Sequence, residues 1–289
     1  MHAAELLLDC RNTHGEGVLW DERSRRVWWT DIHGKKIWSL DPETRSAASR
    51  DMPARVCCFA PRAQGGLLVA FAEGFALYDL DSGAQRDLAR FEPGLPETRL
   101  NDGRTDRAGR FVAGGFDEVN GRPVTSVCRV DPDLTTTQLF GGVICANGTC
   151  FSPDGRTMYF ADSPRHTVEA IAYDPATGAV GARRVLATID GPGIPDGACT
   201  DAEGFVWVAI WEGSRVERWS PDGRRDLVVQ LPVRKVTCCA FGGKNLDVLF
   251  ITTSRLGSSQ EEIEREPTSG SLYAFRPGVR GLPDTPFAG

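Results

Sequence analysis

One stretch constrains the fold more than any other, because its layout recurs. Residues 151–178 read FSPDGRTMYFADSPRHTVEAIAYDPATG. A turn, SPDG, precedes an alternating run, TMYFAD. A polar turn follows, then a second alternating run, VEAIAYD. Period-two alternation bounded by Gly, Pro, Asp and Ser predicts a β-hairpin. The same layout begins at Leu19, Ala60, Thr105, Thr200 and Phe241. With Trp20 as the equivalent position of the first block, the starts lie 40, 45, 46, 49 and 41 residues apart. A four-stranded propeller blade takes roughly 40–50 residues. Six blocks in 289 residues predict an all-β fold, a six-bladed β-propeller in one domain over 1–289. A ring of blades needs one blade completed by both termini, and ELLLDC near the N-terminus can supply that strand. No amphipathic helical window is long enough to compete.

The registration brings distant residues together. Four positions before each aligned start stand Glu16, Val56, Asn101, Asn147, Asp196 and Thr237. Each falls where an inner strand should begin, lining the central channel. Four of the six carry oxygen ligands, the set that hard cations choose. Three or four protein oxygens suit Ca²⁺, or Mn²⁺, Fe²⁺ or Zn²⁺. Taken singly, NDG, NGT and PDG read as ordinary turns. Asp154 and Asp222, in SPDG turns of a different register, are assigned to hairpin loops. The shared offset separates Glu16, Asn147 and Asp196 from them as a candidate metal site.

Composition narrows the rest. A net charge of −6 with scattered arginines argues against nucleic acid. Nine cysteines without a C-x-x-C pair predict reduced, mostly buried thiols rather than a disulfide framework or a zinc ribbon. The opening MHAAELLLDCRN lacks a basic n-region, and no apolar run approaches the ~20 residues that span a bilayer. A cytoplasmic protein without membrane partners is expected, as a monomer or small homo-oligomer.

At these residues the sequence resembles the regucalcin-like family, also called the senescence marker protein/gluconolactonase/luciferin-regenerating enzyme family. The matches are GEG at 15–17 with a following W-D, R-x-N-D-G at 99–103, and NG at 147–148 before FSPDG. PDG at 195–197 and the F-V-W-V-A run ahead of Trp211 complete them in family order. The resemblance implies a propeller with one axial divalent cation, Ca²⁺ first, held by Glu16, Asn147 and Asp196. It implies hydrolysis of an aldono-lactone, a small cyclic ester of a sugar acid, in carbohydrate breakdown. Arg99 and Asn101 of the R-x-N motif would contact the substrate, and Glu118 in GGFDEVNG is the nearest match to a further substrate-binding Glu. Two departures are Cys199, just after PDG, and Glu212, where relatives often have Gly.

In such a site the cation would polarise the lactone carbonyl, and Asp196 would take a proton from the attacking water. Trp211 and Phe116 are candidates for an apolar wall or for core. His14, two residues before Glu16, would point the same way along a strand. His33 and His166 read as polar-turn residues. Cys145, Cys150 and the 117–124 loop are candidates to tune the pocket. The alternative is a calcium-binding regulatory or interaction propeller without turnover. The sequence leaves open which of the arabino-, xylono-, glucono-, galactono- or fucono-lactones would be the substrate.

Overall fold

Each repeat folds as the hairpin its alternation predicts and adds an inner and an outer strand. The computed structural model describes residues 2–289. The chain forms six antiparallel four-stranded sheets, one of them with a short fifth strand. The innermost strands are Gly15–Asp21, Val56–Pro61, Thr98–Thr105, Ala146–Phe151, Ile194–Thr200 and Val236–Gly242. Neighbouring inner strands touch all the way round, so the sheets are the blades of a six-bladed propeller. In the fourth blade, Ala146–Phe151 pairs with Thr157–Asp162, then Thr167–Tyr173, then Val180–Thr188.

The ring closes as expected. The sixth blade takes Val236–Gly242, Val248–Thr253 and Leu272–Phe275 from the end of the chain, and its outer strand, Glu5–Leu8, from the start. Just before it, His2–Ala3 runs parallel to the outer strand Arg225–Gln230 of the fifth blade. The N-terminal residues therefore tie two blades together.

Both faces of each blade are covered by neighbours. For that reason the second strands read as nearly continuous apolar runs, such as VWVAIW at Val206–Trp211. Six apolar cores result, one per blade–blade interface. Trp207, Val216, Phe241 and Ile251 join the fifth and sixth blades. Trp29, Leu40, Phe250 and Leu272 join the first and sixth.

The C-terminal tail has no repeat signature, and only packing places it. After Phe275 it crosses the end of the ring that carries the first tight turns. Gly281 bridges to Asp201, and Phe287 to Arg62. The Arg104 guanidinium donates to Asp284 Oδ1 at 3.0 Å. Phe287 is fully buried in the core between the second and third blades. One helix was not anticipated, Gln260–Arg265 in the long connection before the last strand. Its signal is the capping box of Ser259 and Glu262.

If the tail seals the ring, Phe287→Ala should cost about 3–5 kcal/mol in urea unfolding. A loss under about 1 kcal/mol, typical of a surface change, would show that the tail is not part of the core.

Candidate functional site

Every innermost strand breaks its pairing at the same point. The register shifts between Glu16 and Leu19, Leu100 and Gly103, Asn147 and Cys150, and Pro195 and Ala198. Val56/Cys58 and Val236/Cys238 repeat the break. A β-bulge leaves residues out of the ladder and re-aims their side chains. Gly17 and Gly148 sit there with φ of +57° and +63°, a region that favours glycine. Gly197 is needed for space, since a Cβ would lie 2.5 Å from Cys238 Sγ. The glycines of GEG, NG and PDG therefore serve bulges on the channel, not hairpin turns. Asp154 and Asp222, by contrast, lie exposed in turns.

The bulges bring the expected residues to one cavity of about 380 Å³, lined by Glu16, Asn147, Asp196, Arg99, Asn101 and Glu118 among others. Asn147 Nδ2 donates to Ser163 Oγ at 2.8 Å. Asn101 Nδ2 donates to Ala146 O at 2.9 Å and reaches Asn147 Oδ1 at 3.3 Å. Arg99 Nη1 donates to Asn101 Oδ1 at 2.6 Å. The remaining two equivalent positions are structural: Val56 is core, and Thr237 Oγ1 bonds Thr252 Oγ1 at 2.9 Å.

Glu16 and Asp196 are buried facing one another, and neither is ion-paired among the described residues. With only protein groups around it, burial pushes the Glu16 carboxyl up to about 8, helped by the charge of Asp102. Burial, and then Glu16 itself, raises Asp196 well above the usual carboxylate range. Asp102 shares the bulge of Asn101 and accepts from Thr149 N at 2.8 Å. Its role was not anticipated, although it lies inside the NDG motif. Two carboxylates and an amide oxygen in such surroundings fit a hard dication, whose charge would replace their protons. Among the described residues no group of three His, Cys, Asp or Glu side chains is gathered for a metal, so the candidate set depends on the Asn147 amide.

Part of the lining is apolar: Phe116, Pro164, Ile194, Trp211 and Leu256. Phe116 and Trp211 are thus wall rather than core. The Phe116 ring lies 5.1 Å from the Arg99 guanidinium carbon. Leu256 comes from the long connection. Lys235 Nζ fixes that connection by donating to Leu256 O at 2.6 Å and Ser258 Oγ at 2.9 Å. Arg234 clamps it further through Glu262 at 2.6 Å and Glu266 at 2.9 Å. Glu212 stands at φ +57°, a strained conformation outside glycine, and pairs with Arg234 at 3.1 Å. That contact gives a physical reason for a Glu at this turn.

Two sequence readings need correction. His33 is not an idle turn residue: its Nε2 lies 3.6 Å from Glu118 Oε1, and its ring is 5.5 Å from that of His14. Nothing in the sequence links positions 33 and 118; only the ring does. Cys150 does not reach the cavity, whereas Cys145 lines it. Glu118 accepts from Arg99 Nε at 2.8 Å and from Arg55 Nη1 at 2.8 Å. His33 and these arginines hold its carboxyl well below the usual range, against its burial. His14 lines the cavity, and burial followed by the Arg99 charge pushes its imidazole well below the usual value. All nine cysteines are free, and six of them are buried.

A family model described as SMP-30/Gluconolactonase/LRE-like region matches residues 14–255. The chain belongs to this family. It is 37% identical over 290 residues to the L-arabinolactonase of Azospirillum brasilense, covering 99% of this chain and 96% of that protein. It is 37% identical over 277 residues to the 6-deoxy-6-sulfogluconolactonase of Pseudomonas putida, covering 95% of each. Among solved structures, a calcium-binding protein, regucalcin, from Agrobacterium tumefaciens superposes with a TM-score of 0.93 at 27% identity. That match covers 99% of this chain and 97% of the other. These relatives place the chain in a family of sugar lactonases, hydrolases of ester bonds. No helix among the described residues is long and apolar enough to cross a membrane.

The raised carboxyl groups set a pH dependence. In the folded, cation-free protein the pair holds protons that the unfolded chain has released, so stability falls as pH rises from about 4.5, the unfolded Glu value, through about 8. Melting of chelator-treated protein should drop across that window. Added Ca²⁺ should raise the melting temperature more at pH 8 than at pH 5, because at pH 5 it must displace protons. An equal Ca²⁺ effect at both values would show that these carboxyl groups are not the ligands.

Proposed function

We propose that this protein hydrolyses an aldono-lactone to its sugar acid, as a step of carbohydrate breakdown in the cytoplasm. A single divalent cation, Ca²⁺ first, would be held by Glu16, Asn147 and Asp196. The observation that carries the reading is the meeting of this oxygen set with Arg99 and Asn101 in one cavity that has an apolar wall. The similarity to named lactonases and to a calcium-binding regucalcin supports it.

The cation, when bound, supplies Lewis-acid polarisation of an ester carbonyl and acidifies nearby water. The chain supplies the rest. Asp196 accepts the proton of the attacking water. The Arg99 guanidinium, locked by Glu118 and Asn101, offers its Nη2, which has no acceptor among the described residues, to a lactone oxygen. Glu118 is occupied by two arginines, so it serves the substrate chiefly by holding Arg99 in place. Trp211 and Phe116 cover the C–H face of the sugar ring and keep bulk water out. A calcium-binding propeller without turnover is the second reading. The free edge of a buried arginine beside the oxygen set favours a substrate instead.

The test is acid release from a panel of pentono- and hexono-lactones by chelator-treated protein, with Ca²⁺, Mn²⁺, Fe²⁺ or Zn²⁺ added singly. Turnover should return with an ion, and Asp196→Asn should lower kcat/KM by about 10²–10⁴-fold. A folded protein that binds the ion but opens no lactone would leave the regulatory reading.

A further inference from the structure

We infer that His14 is a specificity-determining residue whose Nε2 hydrogen-bonds a ring hydroxyl of the lactone. The inference rests on the lactonase reading and adds to it a group that reads the substrate.

The ring of His14 is fixed on every side but one. Its Nδ1 lies 2.9 Å from Ser254 Oγ. Ser254 Oγ is itself held, 3.0 Å from Thr13 O and 3.0 Å from Leu256 N. The ring meets Trp211 edge-on at 5.6 Å and His33 at 5.5 Å. His14 also bridges to Ser254 through its backbone, so the first and sixth blades share it. The only polar atom left on the ring is Nε2. Among the described residues it has no partner and is not sealed in the interior, and His14 lines the cavity, so Nε2 opens on the substrate space.

The hydrogen-bond network defines what Nε2 would bind. Thr13 O also accepts from Arg255 N at 3.0 Å, so it does not need the Ser254 proton. Ser254 can therefore either donate to His14 Nδ1 or accept from it, and Nε2 can be donor or acceptor. A hydroxyl is the one common sugar group that can answer both states. Trp211 beside it meets the imidazole edge-on, with ring centroids 5.6 Å apart, and makes no hydrogen bond to it. A lactone without that hydroxyl would leave Nε2 facing the apolar wall unpaired. Such a loss is how polar pockets discriminate.

A cycle between enzyme variants and substrate analogues tests this. The best lactone and each of its monodeoxy analogues would be assayed with the ion-loaded wild type, His14→Asn and His14→Gln. Asn keeps an amide near the Nδ1 position and loses Nε2; Gln can place an amide near Nε2. We expect His14→Asn to lower kcat/KM on the parent lactone about five- to tenfold, and His14→Gln to recover most of it. One deoxy analogue should lose about the same factor with wild type and lose nothing further with His14→Asn. Additive losses at every hydroxyl, or an unchanged His14→Asn, would overturn the inference. If His14→Asn does not fold, Ser254→Ala takes its place: it frees the ring and should erase discrimination against that same analogue, and intact discrimination would count against us. A wild type that opens no lactone fails the proposed function before any variant is made. Turnover with additive losses fails only the role of His14.

Discussion

The structure depends on burial between blades. A four-stranded sheet that is apolar on both faces cannot stand in water alone, and here each sheet covers its two neighbours. Six cores fill the six interfaces, and the one between the first and sixth blades forms only when the ring closes. The strand Glu5–Leu8 in the sixth blade makes that closure, so residues at the two ends of the chain fold as one unit. A closed ring also leaves an axis, and the axis is where the chain gathers groups that no single blade could bury.

What lies on the axis is costly. Glu16 and Asp196 are held out of water without an ionic partner among the described residues, with Asp102 close by. Burial raises their proton affinity, and a protein tolerates such a pair where a ligand can relieve it. The geometry around them is correspondingly over-determined. Bulges with left-handed glycines aim Glu16 and Asn147, Ser163 anchors the Asn147 amide, and Asn101 joins the Arg99 cluster to it. The apolar wall is fastened just as firmly, since Arg234 and Lys235 tie down the connection that carries Leu256. Fixed polar groups and apolar side chains lining one cavity suit a ring with hydroxyls on its edge and C–H bonds on its face.

The repeat was legible because blade formation is local: alternation and turn chemistry act within about 25 residues. The convergence of Glu16, Asn101, Asn147 and Asp196 was legible too, because equivalent positions in a ring must share a radius. The motif glycines were visible, but their purpose was not. NG and DG carry the same letters in a hairpin turn as in a bulge, and only pairing in the inner strand distinguishes them. The links from His33 to Glu118 and from Arg55 to Glu118 cross blades, so no spacing in the chain encodes them.

The sequence by itself determined the number of blades, the strand that closes them and the oxygen-bearing residues on the axis, since each follows from periodicity and position along one chain. Only the tertiary structure decided that Glu118 is locked between two arginines, that Phe116, Trp211 and Leu256 form a wall, and that the tail packs Phe287 under the ring. The physical reason is range. Hydrophobic periodicity is written into neighbouring residues, whereas a side chain's partner across an interface is fixed by how whole sheets pack against one another.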